Sequence, residues 1–223
     1  MNIAITGANG LVGSAVRNEL DPTLFSVTPL DLRELDATNY EALLRATVGA
    51  DAIVHFAWKD LIANVRADSR DPANLTMVDN VYKAAVANGI SRVIMGSSNQ
   101  AHGYDITDAD NRIRPTTLPD TPPNEYGSEK LEMEAQGREY ASQLGLEVIC
   151  LRIGNVNAEN LPKPTTDGRP QRWLSKRDLG RLVTACLIAK QVPDNFQIIS
   201  GVSDGSVFDW INPLGFRPLD SAS

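Results

Sequence analysis

Thr6-Gly7-Ala8-Asn9-Gly10-Leu11-Val12-Gly13 decides the fold. The octapeptide follows the short apolar run Asn2–Thr6, which reads as a β-strand, and opens a stretch over about 11–20 that reads as a helix. That helix stops at Asp21-Pro22, where proline blocks continuation. Each glycine has its own physical task. Gly7 permits a tight turn with positive φ, Gly10 lets the backbone approach a pyrophosphate, and Gly13 lets the helix pack closely. The helix start then offers free N–H groups and a partial positive charge to phosphate oxygens. Three glycines at this spacing say little alone. Placed straight after a first strand and at the head of a helix, they meet the context of a dinucleotide-binding turn. Gly7, Asn9, Gly10, Leu11, Val12 and Gly13 are the cofactor contacts expected from this turn.

Outward from the turn, a second strand over 25–30 ends at Asp31. An acidic residue there is expected to accept hydrogen bonds from the adenosine ribose, which favours NAD because a carboxylate repels a 2′-phosphate. Arg33, two residues on, suits such a phosphate, so NADP stays open. Asp36 falls either beside the adenine or at a helix cap. Thr38-Asn39-Tyr40-Glu41 has capping-box spacing and predicts a helix to about Val48. The connection 31–36 leaves room for at most a short third strand. Strand-like runs at 51–56, 92–95, 146–152 and 196–199 then alternate with helical patterns at 73–88, 125–143 and 176–190. This rhythm predicts an α/β fold, a Rossmann-like doubly wound parallel sheet with right-handed crossovers. The nearly continuous apolar run 146–152 marks a central strand. One domain over 1–223 is expected, with substrate-cap elements within about 154–175 and 200–223.

Composition narrows the function classes. The chain has 223 residues, 42% of them hydrophobic and 22% charged, enough for a packed core. Its apolar runs are far too short for a membrane span, and no secretory leader is expected. Cys150 and Cys186 lie in apolar segments and read as buried thiols of a reducing cytoplasm. Two His and two Cys make a zinc site implausible, and no metal is expected. With 21 basic and 28 acidic residues the net charge is −7, which repels nucleic acid.

The glycine turn, with Tyr126-Gly127-Ser128-Glu129-Lys130 downstream, resembles the extended short-chain dehydrogenase/reductases, the NAD-dependent epimerase/dehydratase family. The resemblance covers most of the chain. His55-Phe56-Ala57 is similar to the family's strand end bordering the cofactor, and Asn74 to its helix asparagine. Ser97-Ser98-Asn99-Gln100-Ala101-His102-Gly103 is similar to its Ser-Ser segment and places the catalytic serine at Ser98. Leu151-Arg152-Ile153-Gly154-Asn155 is similar to the strand and turn that meet the nicotinamide. The resemblance therefore implies Tyr126, Lys130, Ser98 and Asn74 as the catalytic set. It adds Phe56, Ala57, Ile153, Tyr126 and Lys130 to the cofactor contacts. Within the family the likeness runs to uronate dehydrogenases and related sugar dehydrogenases. It implies a small sugar substrate touched by Ser98, Asn99, Gln100 and Arg169, and a homodimer through the helices at 73–88 and 125–143. Gln100 departs from the histidine usual there, and Arg169 matches the substrate arginine only approximately, with Arg172 close by.

Tyr126 and Lys130 are four residues apart, so a helix puts them on one face. An ammonium beside a phenol lowers its pKa and makes it a usable base. Alone, Tyr-x-x-x-Lys is a common surface pair; the glycine turn and the Ser-Ser strand end give it weight. His55, His102 and Cys150 read as packing or loop residues. Three functions follow. The first is NAD-dependent oxidation of a uronate, hexose or hexose phosphate at the anomeric hydroxyl, giving a lactone. The second is a nucleotide-sugar epimerase or dehydratase with tightly bound NAD, for which residues 153–223 leave little room. The third is a non-catalytic dinucleotide sensor, which has no use for a proton-transfer set.

Overall fold

Among the described residues, six parallel strands form one sheet in the order β2-β1-β3-β4-β5-β6: β1 (Asn2–Thr6), β2 (Ser26–Leu30), β3 (Ala52–His55), β4 (Arg92–Ser98), β5 (Glu147–Ile153) and β6 (Phe196–Gly201). The computed structural model describes residues 1–32, 35–59, 61–102, 120–163 and 171–222. Among these residues, six α-helices connect and flank the strands: α1 (Leu11–Glu19), α2 (Tyr40–Ala46), α3 (Leu61–Ala67), α4 (Pro72–Ala87), α5 (Glu125–Leu144) and α6 (Lys176–Ile188).

Strand alternation sorts the core into two layers. Ile3, Ile5, Ile94, Ile149 and Leu151 pack toward α1 and α6, while Ala4, Val93, Met95, Val148 and Cys150 pack toward α2, α4 and α5. The strand order reverses between β1 and β3, and a doubly wound sheet opens its crevice at such a point, beyond the strands' carboxyl ends. Thr6 and His55 stand side by side there.

The sequence leaves room between β2 and α2 for at most a short strand, and among the described residues none pairs beyond β2, which is the sheet's edge. The connection curls instead. Leu35 N donates to Asp31 O at 2.7 Å, and the Asp36 carboxylate takes both the Thr38 N–H and its hydroxyl. The capping-box expectation shifts by one residue, since Asn39 caps α2 through a bond from Ala42 N. Two further differences matter for the site. Strand β4 runs on to Ser98, and α3 occupies a stretch with no sequence-predicted element.

The C-terminal tail is fastened to the start of α6. Asp178, fully buried, accepts from Leu219 N, Asp220 N and the Ser203 hydroxyl. Ser175 Oγ donates to Asp220 at 2.5 Å, and short bridges join Asn155 to Trp173 and Asp204 to Ser221.

Candidate active site

The glycine turn is built as its residues require. Gly7 has φ +67, and a Cβ there would stand 2.6 Å from Ala57 N and 2.8 Å from the Phe56 carbonyl carbon. A Cβ on Gly13 would stand 2.2 Å from Gly7 O, so the third glycine lets the helix sit on the turn itself. Gly10 caps α1 with no side-chain hydrogen bond, which leaves the first-turn N–H groups facing outward for an anion. At the end of β2, Asp31 accepts from Asn9 N at 2.8 Å, joining the acidic residue to the turn. Asn9 in turn accepts from Arg17 at 2.7 Å through its side chain.

A cleft of about 530 Å³ runs from this turn to the carboxyl ends of β4 and β5. Gly7, Gly10, Leu11, Val12 and Gly13 line one end. Ser98, Asn99, Gln100, Tyr126, Lys130 and Ile153 line the other, with Phe56 between. Those twelve sequence-predicted residues are thus brought together. Asn9, Asp31, Asp36, Ala57 and Asn74 do not line the cleft, and Arg169 lies outside the described residues. The region 154–175 contributes Gly154, Asn155, Val156 and Arg172, while 200–223 contributes no described lining residue.

Several elements hold the chemistry in place. Asn124 caps α5 through a bond from Gly127 N at 2.9 Å, and its amide donates to the Gln100 side chain at 2.6 Å. A Cβ on Gly127 would stand 2.1 Å from Gln100 O, so the start of α5 presses directly on the 3-10 turn Asn99–Ala101. Ser98 accepts from Gln100 N at 3.1 Å, which orients its hydroxyl oxygen at the head of that turn.

Lys130 is 3% exposed and donates to Gly96 O at 2.7 Å. Burial pushes its pKa down to about 7, against the pull of Glu129 and Glu134. His55 Nδ1 pairs with the Thr6 hydroxyl at 2.7 Å, and burial, helped by Lys130, pushes the imidazole down to about 3. It is therefore neutral at physiological pH and serves the strand end as a packing residue. Asn74 accepts from Lys59 N at 2.7 Å and lies with its amide nitrogen 3.5 Å from Lys59 O, so its side chain holds the loop after β3. Asp36 is engaged with Thr38 as described.

The motifs did not mark Trp58, Leu61, Ile62, Val65 or Arg66, which form a wall of the cleft from the loop and helix after β3. Their only sequence signal is an apolar spacing at 61, 62 and 65, masked by the charged residues around it. The wall is tied to α5: Asp68 accepts from Glu125 N at 2.8 Å, and Arg70 pairs with Glu125 and Glu132.

The fold, the glycine turn and the Tyr126–Lys130 helix define a dinucleotide-binding enzyme of the short-chain type. The NAD dependent epimerase/dehydratase family matches residues 3–190, and the chain belongs to it. It is similar to an L-arabinose 1-dehydrogenase (NAD(P)(+)) of Haloferax volcanii, 33% identical over 99% of this chain and 97% of that one. An NAD-dependent glucose-6-phosphate dehydrogenase of the same organism is 28% identical over 99% and 94%. Among solved structures, a mutated uronate dehydrogenase superposes with a TM-score of 0.76 at 27% identity, covering 99% of this chain and 82% of that one.

Proposed function

We propose that this protein oxidises a monosaccharide at its anomeric hydroxyl to the lactone, with NAD as hydride acceptor. One observation carries the proposal: a single cleft lined at one end by the glycine turn and at the other by Ser98, Tyr126 and Lys130. The family's cofactor fits this chain, because the turn leaves no space for a Cβ at Gly7 or Gly13 and no side chain caps the first-turn N–H groups of α1. When bound, NAD supplies the ring that accepts the hydride.

The chain's own residues do the rest. Gly10 to Gly13 would hold the pyrophosphate, Asp31 the adenosine ribose, Lys130 the nicotinamide ribose, and Ile153 the ring. Ser98 holds the reacting hydroxyl by a hydrogen bond. Tyr126 takes the hydroxyl proton as the hydride leaves the same carbon, so the C–O bond becomes a carbonyl and the ring sugar a lactone. The ammonium of Lys130 makes the phenol a competent base. Asn74 serves by fixing the loop at Lys59, and a water on its amide would extend the proton path.

Three relatives named for arabinose, glucose 6-phosphate and uronate support a monosaccharide over a nucleotide sugar. A cleft of about 530 Å³ that must also take the nicotinamide end of NAD points the same way. Asn99, Gln100, Arg169 and Arg172 are the proposed substrate contacts. The protein works in the cytoplasm as a homodimer through α4 and α5, which sedimentation at micromolar concentration tests; a single-chain species there contradicts the dimer.

Purified protein is incubated with NAD and a panel of L-arabinose, glucose, glucose 6-phosphate, glucuronate and galacturonate. The expected result is reduced nicotinamide with a stoichiometric lactone, identified by NMR. Turnover of UDP-sugars with no reduction on any free sugar overturns the proposal.

A further inference from the structure

We propose that Trp58 is a positioning residue for the Tyr126–Lys130 pair, its ring face seating the ammonium and its ring supporting the phenol edge-on. This rests on the proposed pairing of Tyr126 with Lys130 in proton transfer. Trp58 lies three residues past the end of β3, outside every motif of the family resemblance.

The geometry is close. Lys130 Nζ lies 3.2 Å from the centroid of the Trp58 ring and 5.6 Å from that of Tyr126. The Trp58 and Tyr126 rings meet at 83° with centroids 5.9 Å apart. The three side chains form a closed group, in which the ammonium exchanges water for one carbonyl, that of Gly96, and an aromatic face. A ring face attracts a cation most strongly when water is excluded.

The charge balance around Lys130 gives the ring a specific task. From α5, Glu129 and Glu134 favour the ammonium, and Tyr126 lies alongside. From β5 comes Cys150, whose burial keeps it a thiol, and from β3 comes His55, neutral near pH 7. Glu134 is already paired with Arg152. The neighbouring strands therefore offer the ammonium little, and among the described residues the Trp58 face, with Gly96 O, is its close favourable contact from outside α5. The loop bearing Trp58 is itself fixed, since Asn74 and Asn64 both bond to the Lys59 backbone. Asn74 thereby reaches the reacting pair through the indole.

With a leucine in place of the ring, Lys130 gives up its proton more readily. A neutral lysine no longer lowers the phenol's pKa, so Tyr126 becomes a base only at higher pH. Trp58→Leu is therefore expected to lower kcat at neutral pH by about 30-fold, the equivalent of a desolvated cation–π contact, with KM for sugar little changed. The acid limb of its pH–rate profile moves to higher pH. Trp58→Phe, which keeps a ring face, recovers most of the loss. A spectrophotometric titration of the Tyr126 phenolate, taken against Tyr126→Phe, reads the same shift with no substrate present and stands even if the proposed sugar chemistry fails. Thermal melts confirm that each variant is folded; if Trp58→Leu is not, Trp58→Met against Trp58→Phe makes the same comparison. An unshifted phenolate titration in the folded aliphatic variant, or a phenylalanine variant as impaired as the aliphatic one, overturns the proposal.

Discussion

Arg152 and Glu134 form a bidentate ion pair sealed beneath the cleft, with bonds of 2.9 and 2.7 Å and side chains 1% and 4% exposed. Glu134 lies one turn past Lys130 on α5, and Arg152 lies one residue before Ile153 on β5. The pair thus fastens the helix carrying the proposed base to the strand that would meet the nicotinamide. Burial opposes the Arg152 charge, but the hydrogen bonds and charges of Glu134 and Asp120 outweigh it and raise its pKa. Ser97, beside the proposed catalytic serine, donates to the same carboxylate at 2.6 Å.

Breaking this pair from one side leaves a buried charge without its partner. Arg152→Met is expected to cost about 3–5 kcal/mol in a denaturant titration, and replacing both residues by apolar ones should cost less than that single change. A single variant within about 0.5 kcal/mol of the parent contradicts the assignment.

The glycine turn gives a cofactor prediction. A methyl at Gly13 overlaps Gly7 O at 2.2 Å, and backbone cannot yield as a flexible side chain does. Gly13→Ala should weaken NAD binding at least about tenfold by calorimetry, the equivalent of about 1.4 kcal/mol. Unchanged NAD affinity contradicts the role given to the turn.

Cofactor choice turns on Asp31. Its carboxylate is held against the turn by Asn9 N, where a 2′-phosphate would meet it. Asp31→Asn should weaken NAD and strengthen NADP, moving the ratio of kcat/KM values by about tenfold or more. A ratio that stays fixed shows that the residue does not read the ribose.

The fold was legible because strands and helices alternate with clear periods, and the turn because glycine alone tolerates its contacts. The six strands described fall where the apolar runs place them, and α5 follows the helical pattern at 125–143, closing on Gly145 in a left-handed cap. The connection after β2 carries no clear strand pattern, and its short polar side chains bond the backbone locally: Asp31 takes the Leu32 N–H and Asp36 the Thr38 N–H. Helix α3 was missed for a different reason. Its apolar residues Leu61 and Ile62 face a cleft and not the core, so no long amphipathic pattern marks it. Tyr126, Lys130 and Ser98 were legible only as a set. Trp58 was not legible, because a lone tryptophan after a strand carries no spacing signal, and its partner comes from α5.

His55 predicts an acid dependence of stability. Its folded pKa, about 3, lies below the usual 6.5, so the unfolded state binds the proton first. Stability is then lost as pH falls below 6.5, at up to about 1.4 kcal/mol per pH unit from this group, and the loss levels off below about 3. His55→Gln should flatten the slope of melting temperature against pH in that window. An unchanged slope contradicts the neutral, buried imidazole.

The central claim is that Tyr126 takes the proton from a sugar hydroxyl in a cleft shared with NAD. Its most direct test is the rate of NAD reduction on the sugar the panel identifies, parent against Tyr126→Phe, with NAD binding measured on both. Tyr126→Phe is expected to lower kcat about 10²–10⁴-fold with NAD affinity held. A phenylalanine variant that reduces NAD at the parental rate would contradict it.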